Sequence, residues 1–76
     1  MKHAREDYDR IQDPAGKIPA DEPVFLFRAQ DKHFEEVLRH YRELVWLDKG
    51  DQRIIDATTD HMALARQWPI KKAPDL

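Results

Sequence analysis

Residues 31–68 read DKHFEEVLRHYRELVWLDKGDQRIIDATTDHMALARQW, and this stretch decides the fold. After Asp31, large apolar residues recur every three or four positions, which is the spacing of one face of an α-helix. The members of this stripe are Phe34, Val37, Leu38, Tyr41, Leu44 and Val45. Asp31 is a typical N-cap, and Lys49-Gly50 is a typical helix end because glycine readily adopts a positive φ. The pattern predicts a helix over about 32–48.

A second amphipathic pattern follows at once. Asp51 is a suitable N-cap for it, and Pro69 ends it because proline cannot continue a helix. Its apolar side is formed by Ile54, Ile55, Thr58, Met62, Ala65 and Trp68. The pattern predicts a helix over about 52–68. A connection of two or three residues between the helices favours an antiparallel helical hairpin.

The segment before the hairpin is irregular and then extended. Three prolines between residues 13 and 23 exclude a regular helix, and Asp13-Pro14-Ala15-Gly16 predicts a type I turn. The run Val-Phe-Leu-Phe-Arg at 24–28 predicts a short strand, because aromatic and β-branched residues favour strands. Phe25 and Phe27 should point to one side and their neighbours to the other, so both faces require cover.

The predicted class is therefore mainly α (α+β), with one strand and a two-helix hairpin in a single domain. Its parts are an N-terminal arm and proline-rich loop at 1–23, the strand and hairpin at 24–68, and a C-terminal tail at 69–76. Within the arm, Ala4, Tyr8 and Ile11 have the spacing of a short amphipathic helix, with an extended arm as the alternative. The tail beyond Ile70 is expected to be mobile.

The partner of the predicted strand is left open by the sequence. Residues 8–12 or 17–20 are candidates within the same chain, or the strand pairs with its copy in a symmetric dimer. A third alternative is an extended segment lying over the hairpin without a partner. A core this small also favours self-association, because a short chain buries a limited share of its surface.

Composition excludes several function classes. The 76 residues include no cysteine and no serine, only two glycines, and a net charge of −2. A disulfide, a catalytic thiolate, a serine triad and a glycine-rich phosphate loop are thereby excluded. The sequence contains no apolar run of about 20 residues and no hydrophobic leader, so a cytoplasmic protein without membrane association is expected. We predict a non-enzymatic protein without a cofactor.

The strongest candidate for metal chemistry is the set His33, Glu36 and His40, which share one face of the first helix. Imidazole and carboxylate groups at that spacing are ligands that zinc accepts, but no fourth ligand or supporting partner is evident. A solvated helix face is the favoured interpretation, so no metal site is predicted. Asp60 and His61 are neighbours on the second helix and point about 100° apart, which excludes an oriented acid–base pair.

Nucleic-acid binding is the alternative function. Arg39, Arg42, Lys49 and Arg53 lie near the helix junction, and a short turn with glycine also occurs in helix-turn-helix proteins. Six acidic residues on the same helices oppose binding to phosphate: Glu35, Glu36, Glu43, Asp51, Asp56 and Asp60. Nucleic acid is therefore not the expected partner.

Aromatic residues are numerous for so small a core. The rings of Phe25, Phe27, Phe34, Tyr41, Trp46 and Trp68 cannot all be enclosed by two helices and a strand. Rings that remain exposed mark protein interfaces. The sequence thus predicts a protein-interaction module that forms a homodimer and binds a protein of unspecified identity. Its predicted interaction surface comprises Phe25, Phe27, Arg28, Trp46 and Trp68.

Two segments resemble a known group of proteins. One is YDxIxDPxGxIPxDEPVFLFRAQD at residues 8–31, and the other is WPIKKxPD at residues 68–75. Together they are similar to short, uncharacterised proteins encoded in bacterial and phage genomes. The resemblance covers both ends of the chain and implies an intracellular bacterial or phage setting. It implies no activity, cofactor or site residue, but it suggests a phage-type modulator or inhibitor of a host protein.

Overall fold

The computed structural model describes residues 1–3 and 13–74. Two short strands, β1 (Lys2–His3) and β2 (Pro23–Val24), precede two helices, α1 (Phe34–Leu47) and α2 (Gln52–Gln67). The helices pack against each other and supply most of the regular secondary structure. The predicted mainly helical hairpin is confirmed, with helix ends within two residues of those expected. Neither helix is long and apolar enough to cross a membrane, as judged on the described residues.

The turn between the helices differs from the sequence prediction, because the left-handed residue is Lys49 and not Gly50. Lys49 has a φ of 56°, and Gly50 does not have a positive φ. The amide of Lys49 donates to the carbonyl of Trp46 at 3.0 Å, and the amide of Gly50 donates to that of Val45 at 2.8 Å. These two bonds form a Schellman motif with lysine at the position that glycine usually occupies.

Gly50 is required in this turn because a larger residue would collide with Val45, and not because of its backbone conformation. A Cβ atom at this position would lie 2.6 Å from Cγ1 and 3.0 Å from the carbonyl oxygen of Val45. The turn therefore closes tightly over the last turn of α1, which lets α2 run back along α1.

The helix starts are also only partly as predicted. Asp51 is the N-cap of α2 and accepts a 2.9 Å bond from the Arg53 amide, as expected. The prediction that Asp31 caps α1 is wrong, because the N-cap is His33, whose side chain makes no capping bond. Asp31 lies two residues earlier, where its carboxylate accepts a 2.8 Å bond from the His33 amide and orders the approach to the helix.

The core lies between the helices and is small. Among the described residues, Phe34 of α1 and Thr58, Met62 and Ala65 of α2 are buried. A half-buried layer surrounds them: Leu38, Val45 and Ile55. Thr58 is tolerated inside because its hydroxyl donates to the Ile55 carbonyl at 2.8 Å, so its polar group is satisfied there.

The predicted strand at 24–28 is shorter in the structure. Only Pro23–Val24 is a strand, and it pairs in parallel with Lys2–His3. Residues 17–20 do not supply this partner. Residues 8–12, the other candidate, and the predicted N-terminal helix lie outside the described residues. Within the described part of the chain the partner strand comprises Lys2 and His3.

The loop before β2 forms as predicted. The amide of Gly16 donates to the Asp13 carbonyl at 2.9 Å, which closes the expected turn, and Gly16 has a φ of 62°. The Asp13 carboxylate also accepts a 2.8 Å bond from the amide of Ile18. Ile18 is half-buried and anchors this loop as its apolar residue.

The tail, expected to be mobile beyond Ile70, makes hydrogen bonds to the rest of the chain at residues 71 and 72. The amide of Lys72 donates to Gln30, and the carbonyl of Lys72 accepts from Lys32, at 2.8 and 3.0 Å. The Lys71 ammonium donates to the carbonyls of Ala29 and Ala65. The tail is thus held by backbone and ammonium hydrogen bonds that tie it to the loop before α1 and to the end of α2.

Candidate interaction surfaces

The first candidate surface is the aromatic segment, residues 25–28, which follows β2. The rings of Phe25 and Phe27 contact each other with centroids 5.0 Å apart and planes inclined by 44°. This agrees with the prediction that alternate residues share a side. Phe25 is 69% exposed, and Leu26 and Phe27 are each 37% exposed, so the cover expected on both faces is missing.

The backbone of the aromatic segment is unpaired with respect to the described residues, 1–3 and 13–74. The amides and carbonyls of Phe25, Leu26 and Phe27 make no backbone hydrogen bond to any other residue within 1–3 and 13–74. Backbone that continues a strand and has unpaired groups can pair with a strand from another molecule. The segment therefore combines two exposed rings with backbone groups that residues 1–3 and 13–74 leave unpaired.

The five predicted interaction residues do not form one patch. Lys71 binds both Ala29 and Ala65, so the aromatic segment and Trp68 lie near the same end of the hairpin. Trp46 lies at the other end, beside the turn between the helices. Trp46 is 66% exposed and Trp68 50% exposed, and Phe34 alone of the six predicted rings is buried.

Trp46 lines the second candidate surface, an open groove of about 290 Å³. The other residues that line it are Arg39, Arg42, Glu43 and Ile55. Arg42 is held in place by a 2.9 Å bond to the hydroxyl of Thr59 on α2. The groove thus combines two guanidinium groups and an indole with one carboxylate.

The four cations proposed for nucleic-acid binding are largely engaged elsewhere. Arg39 forms an ion pair with Glu35 at 3.0 Å. Arg53 forms an ion pair with Asp51 at 2.6 Å, and this hydrogen-bonded contact lowers the pKa of Asp51 and raises that of Arg53. Lys49 lies in the tight turn. Because two of the four charges are neutralised by neighbouring carboxylates, the surface attracts phosphate less than the sequence count suggests.

Glu35 is the centre of a charge cluster that the sequence indicates only in part. Arg39, one turn along α1, binds its carboxylate at the spacing that favours such pairs on a helix, and Arg66 of α2 also binds the same carboxylate oxygen, with its Nε at 2.7 Å. The hydrogen bond from Arg66 is the main reason that the pKa of Glu35 lies below its usual value. This cluster joins the two helices, and no spacing rule in the sequence indicates the contact with Arg66.

The histidine set on α1 does not form a metal centre in the structure. His33 caps the helix, and His33, Glu36 and His40 are all exposed. No group of three or more histidine, aspartate or glutamate residues in the described ranges is arranged to hold a metal ion. His61, the other candidate, hydrogen-bonds the Ala57 carbonyl through Nδ1 at 2.9 Å.

The third candidate surface is a flank of the hairpin. The bonds Glu35–Arg66 and Arg42–Thr59 both lie on one flank, which we call the polar flank. A helix turns by about 100° per residue, so a second group of residues lies on the opposite flank. We call this group the apolar flank: Val37, Tyr41 and Leu44 of α1, with Ile54, Leu64 and Trp68 of α2.

The apolar flank is between 37% and 60% exposed at each of its six residues. Most of these residues were expected in the core, because periodicity identifies an apolar face but not what covers it. Ile54, His61 and Trp68 are spaced seven residues apart, so they lie along one line on α2. This spacing could have indicated a second apolar line beside the core face. No protein-family model, curated protein or solved structure matches this chain.

Proposed function

We propose that this chain is a small, non-enzymatic protein-interaction module that binds another protein through its aromatic segment. One observation supports this proposal most directly: Phe25 and Phe27 contact each other with inclined rings and are exposed to solvent, beside backbone that residues 1–3 and 13–74 leave unpaired. Exposed aromatic rings of this kind are the residues that most often dominate binding energy at protein interfaces. We expect the partner to offer an apolar pocket for the rings and an extended strand for the backbone.

The charge at the end of this segment favours a partner with acidic groups near that pocket. Arg28 follows the two rings and is exposed, while the carboxylate of Glu35 binds Arg39 and Arg66. A guanidinium group recognises a carboxylate through two parallel hydrogen bonds. Arg28 thus adds specificity to an interface whose affinity comes from Phe25 and Phe27.

The biological setting is part of the same proposal. The segment YDxIxDPxGxIPxDEPVFLFRAQD and the tail WPIKKxPD resemble bacterial and phage-encoded proteins, and residues of these two segments contact each other through Lys71 and Lys72. We therefore propose a cytoplasmic protein that modulates or inhibits a bacterial host protein. The contact between the segments supports a common structural role, in which the tail fixes the base of the aromatic segment.

The test is an affinity capture from a lysate of the bacterium in which the protein occurs, with three baits compared. We expect wild-type protein to retain a specific partner, the double variant Phe25→Ser, Phe27→Ser to lose it, and the Trp46→Ser variant to keep it. Trp46 is a matched control because it is a similarly exposed ring at the opposite end of the hairpin. Circular dichroism of all three baits checks that the helices are retained.

Two outcomes would contradict the proposal. One is equal capture of every retained protein by the wild type and the double variant. The other is retention of the chain on DNA or RNA at low salt that weakens as salt rises, which would favour the nucleic-acid alternative. In that case the Arg42→Gln variant should weaken retention, since Arg42 and Trp46 line the same groove.

A further inference from the structure

The apolar flank lies on one side of a molecule that is only one helix layer thick. The principal dimensions are 32 × 30 × 18 Å, and the radius of gyration is 13.9 Å. A compact domain of this length has a radius of gyration of roughly 11 Å. Stable domains usually enclose their core between at least two packed layers. The hairpin supplies one layer, and no helix or strand among residues 1–3 and 13–74 forms a second layer over the apolar flank.

The area of the apolar flank is close to what a stable dimer needs. An aromatic side chain buries on the order of 150–250 Å² and an aliphatic one somewhat less, so six residues that are about half exposed present roughly 500 Å² to solvent. This is at the upper end for the largest apolar patch of a monomeric protein. A specific interface of standard size uses about 800 Å² on each partner. The flank and its immediate rim are sufficient for such an interface.

The chemistry of the apolar flank favours a copy of itself. Its six residues carry no formal charge, and the residues between them on α2 are Ala57 and His61. The acidic and basic residues of the hairpin that form interhelical contacts lie on the polar flank. Two identical flanks can therefore meet without bringing like charges together, as a two-fold interface requires. A charged partner would find no complementary group here.

We infer that the apolar flank binds a second copy of this chain, so that two hairpins stack face to face as a four-helix bundle with two-fold symmetry. In this dimer α1 of one copy packs over α2 of the other, and Tyr41, Ile54 and Trp68 become buried. The aromatic segment is not part of the interface. The inference therefore stands independently of the partner proposed for Phe25 and Phe27.

The experiment measures molar mass by light scattering after gel filtration, at protein concentrations from about 1 to 200 µM. We expect the wild type to be a dimer in the upper part of this range. Trp68→Glu and Leu44→Glu place a charge in the interface, and each should raise the dimer dissociation constant tenfold or more. Trp46→Glu is the matched control, because Trp46 is at least as exposed as Trp68 but lies outside the apolar flank.

Each result decides the inference. A wild-type dimer that the two flank variants dissociate and the Trp46→Glu variant leaves intact supports it, provided that circular dichroism shows retained helix in every variant. If Trp68→Glu unfolds the chain, the Leu44→Glu variant and cross-linking of a cysteine introduced at Leu64 give the same readout. A wild-type monomer at 200 µM overturns the inference, and so does a dimer that Trp46→Glu dissociates as readily as Trp68→Glu. A dimer that is lost in the Phe25→Ser, Phe27→Ser variant places the contact at the aromatic segment instead and also overturns it.

Discussion

Exchanging residues in the turn between the helices tests whether Lys49 and Gly50 have the separate roles that the structure gives them. Lys49 is left-handed, which costs a residue with a side chain about 1–2 kcal/mol. Glycine removes this cost but loses about 0.5–1 kcal/mol through the greater freedom of the unfolded chain. We therefore expect Lys49→Gly to raise the free energy of unfolding by about 0.5–1 kcal/mol.

Gly50→Ala should have the opposite effect because of space. The new Cβ would lie 2.6 Å from Cγ1 of Val45, whose side chain has little rotational freedom in a helix. The carbonyl of Val45 is 3.0 Å away and is fixed by its hydrogen bond to the Gly50 amide. Relieving such overpacking costs about 1–3 kcal/mol. In a domain of this size, 1 kcal/mol shifts Tm by about 4–8 °C.

The assay is thermal and urea unfolding followed by circular dichroism at 222 nm, with all variants at one protein concentration. Gly16→Ala is the informative comparison, since Gly16 is left-handed but a Cβ added there would meet no described atom within 4 Å. Gly16→Asn should recover part of the stability lost in Gly16→Ala, because asparagine tolerates a positive φ. Gly50→Asn should be no better than Gly50→Ala. A Lys49→Gly variant that is less stable than the wild type, or a Gly50→Ala variant that is equally stable, would refute the reasoning.

Two further predictions concern contacts that hold the elements together. The pKa of Glu35 is lowered in the folded chain, so its contribution to stability is present above its ordinary pKa of 4.5 and is lost as pH falls through the lower folded value. Glu35→Gln should therefore be less stable than the wild type at pH 7, and the difference should shrink towards pH 3 in urea unfolding; a difference that is constant with pH would contradict this. Lys71→Met removes the ammonium that bridges Ala29 and Ala65, so amides of the tail, including that of Lys72, should exchange hydrogen faster. Lys32→Met, which removes an exposed ammonium, is the control, and equal exchange in both variants would show that the bridge does not hold the tail.

Features that depend on neighbouring residues were predictable from the sequence. The three- and four-residue spacing from Phe34 to Val45 predicted α1, and the capping oxygen of Asp51 predicted the start of α2. The turn at Asp13 was predictable for the same reason, since its hydrogen bonds join residues three to five positions apart. Local geometry and side-chain chemistry suffice in each of these cases.

Features that join distant parts of the chain were not predictable in this way. The spacing of Val37, Tyr41 and Leu44 shows an apolar stripe, but only the packing of α2 decides that this stripe is left outside the core. The parallel pairing of Lys2–His3 with Pro23–Val24 and the binding of Lys71 to Ala29 span about 20 and 42 residues. The sequence by itself determined the two helices, the reversal of the chain between them and the absence of cysteine and serine side chains. The tertiary structure alone decided which apolar residues remain exposed, because burial depends on the area that distant elements cover and not on periodicity.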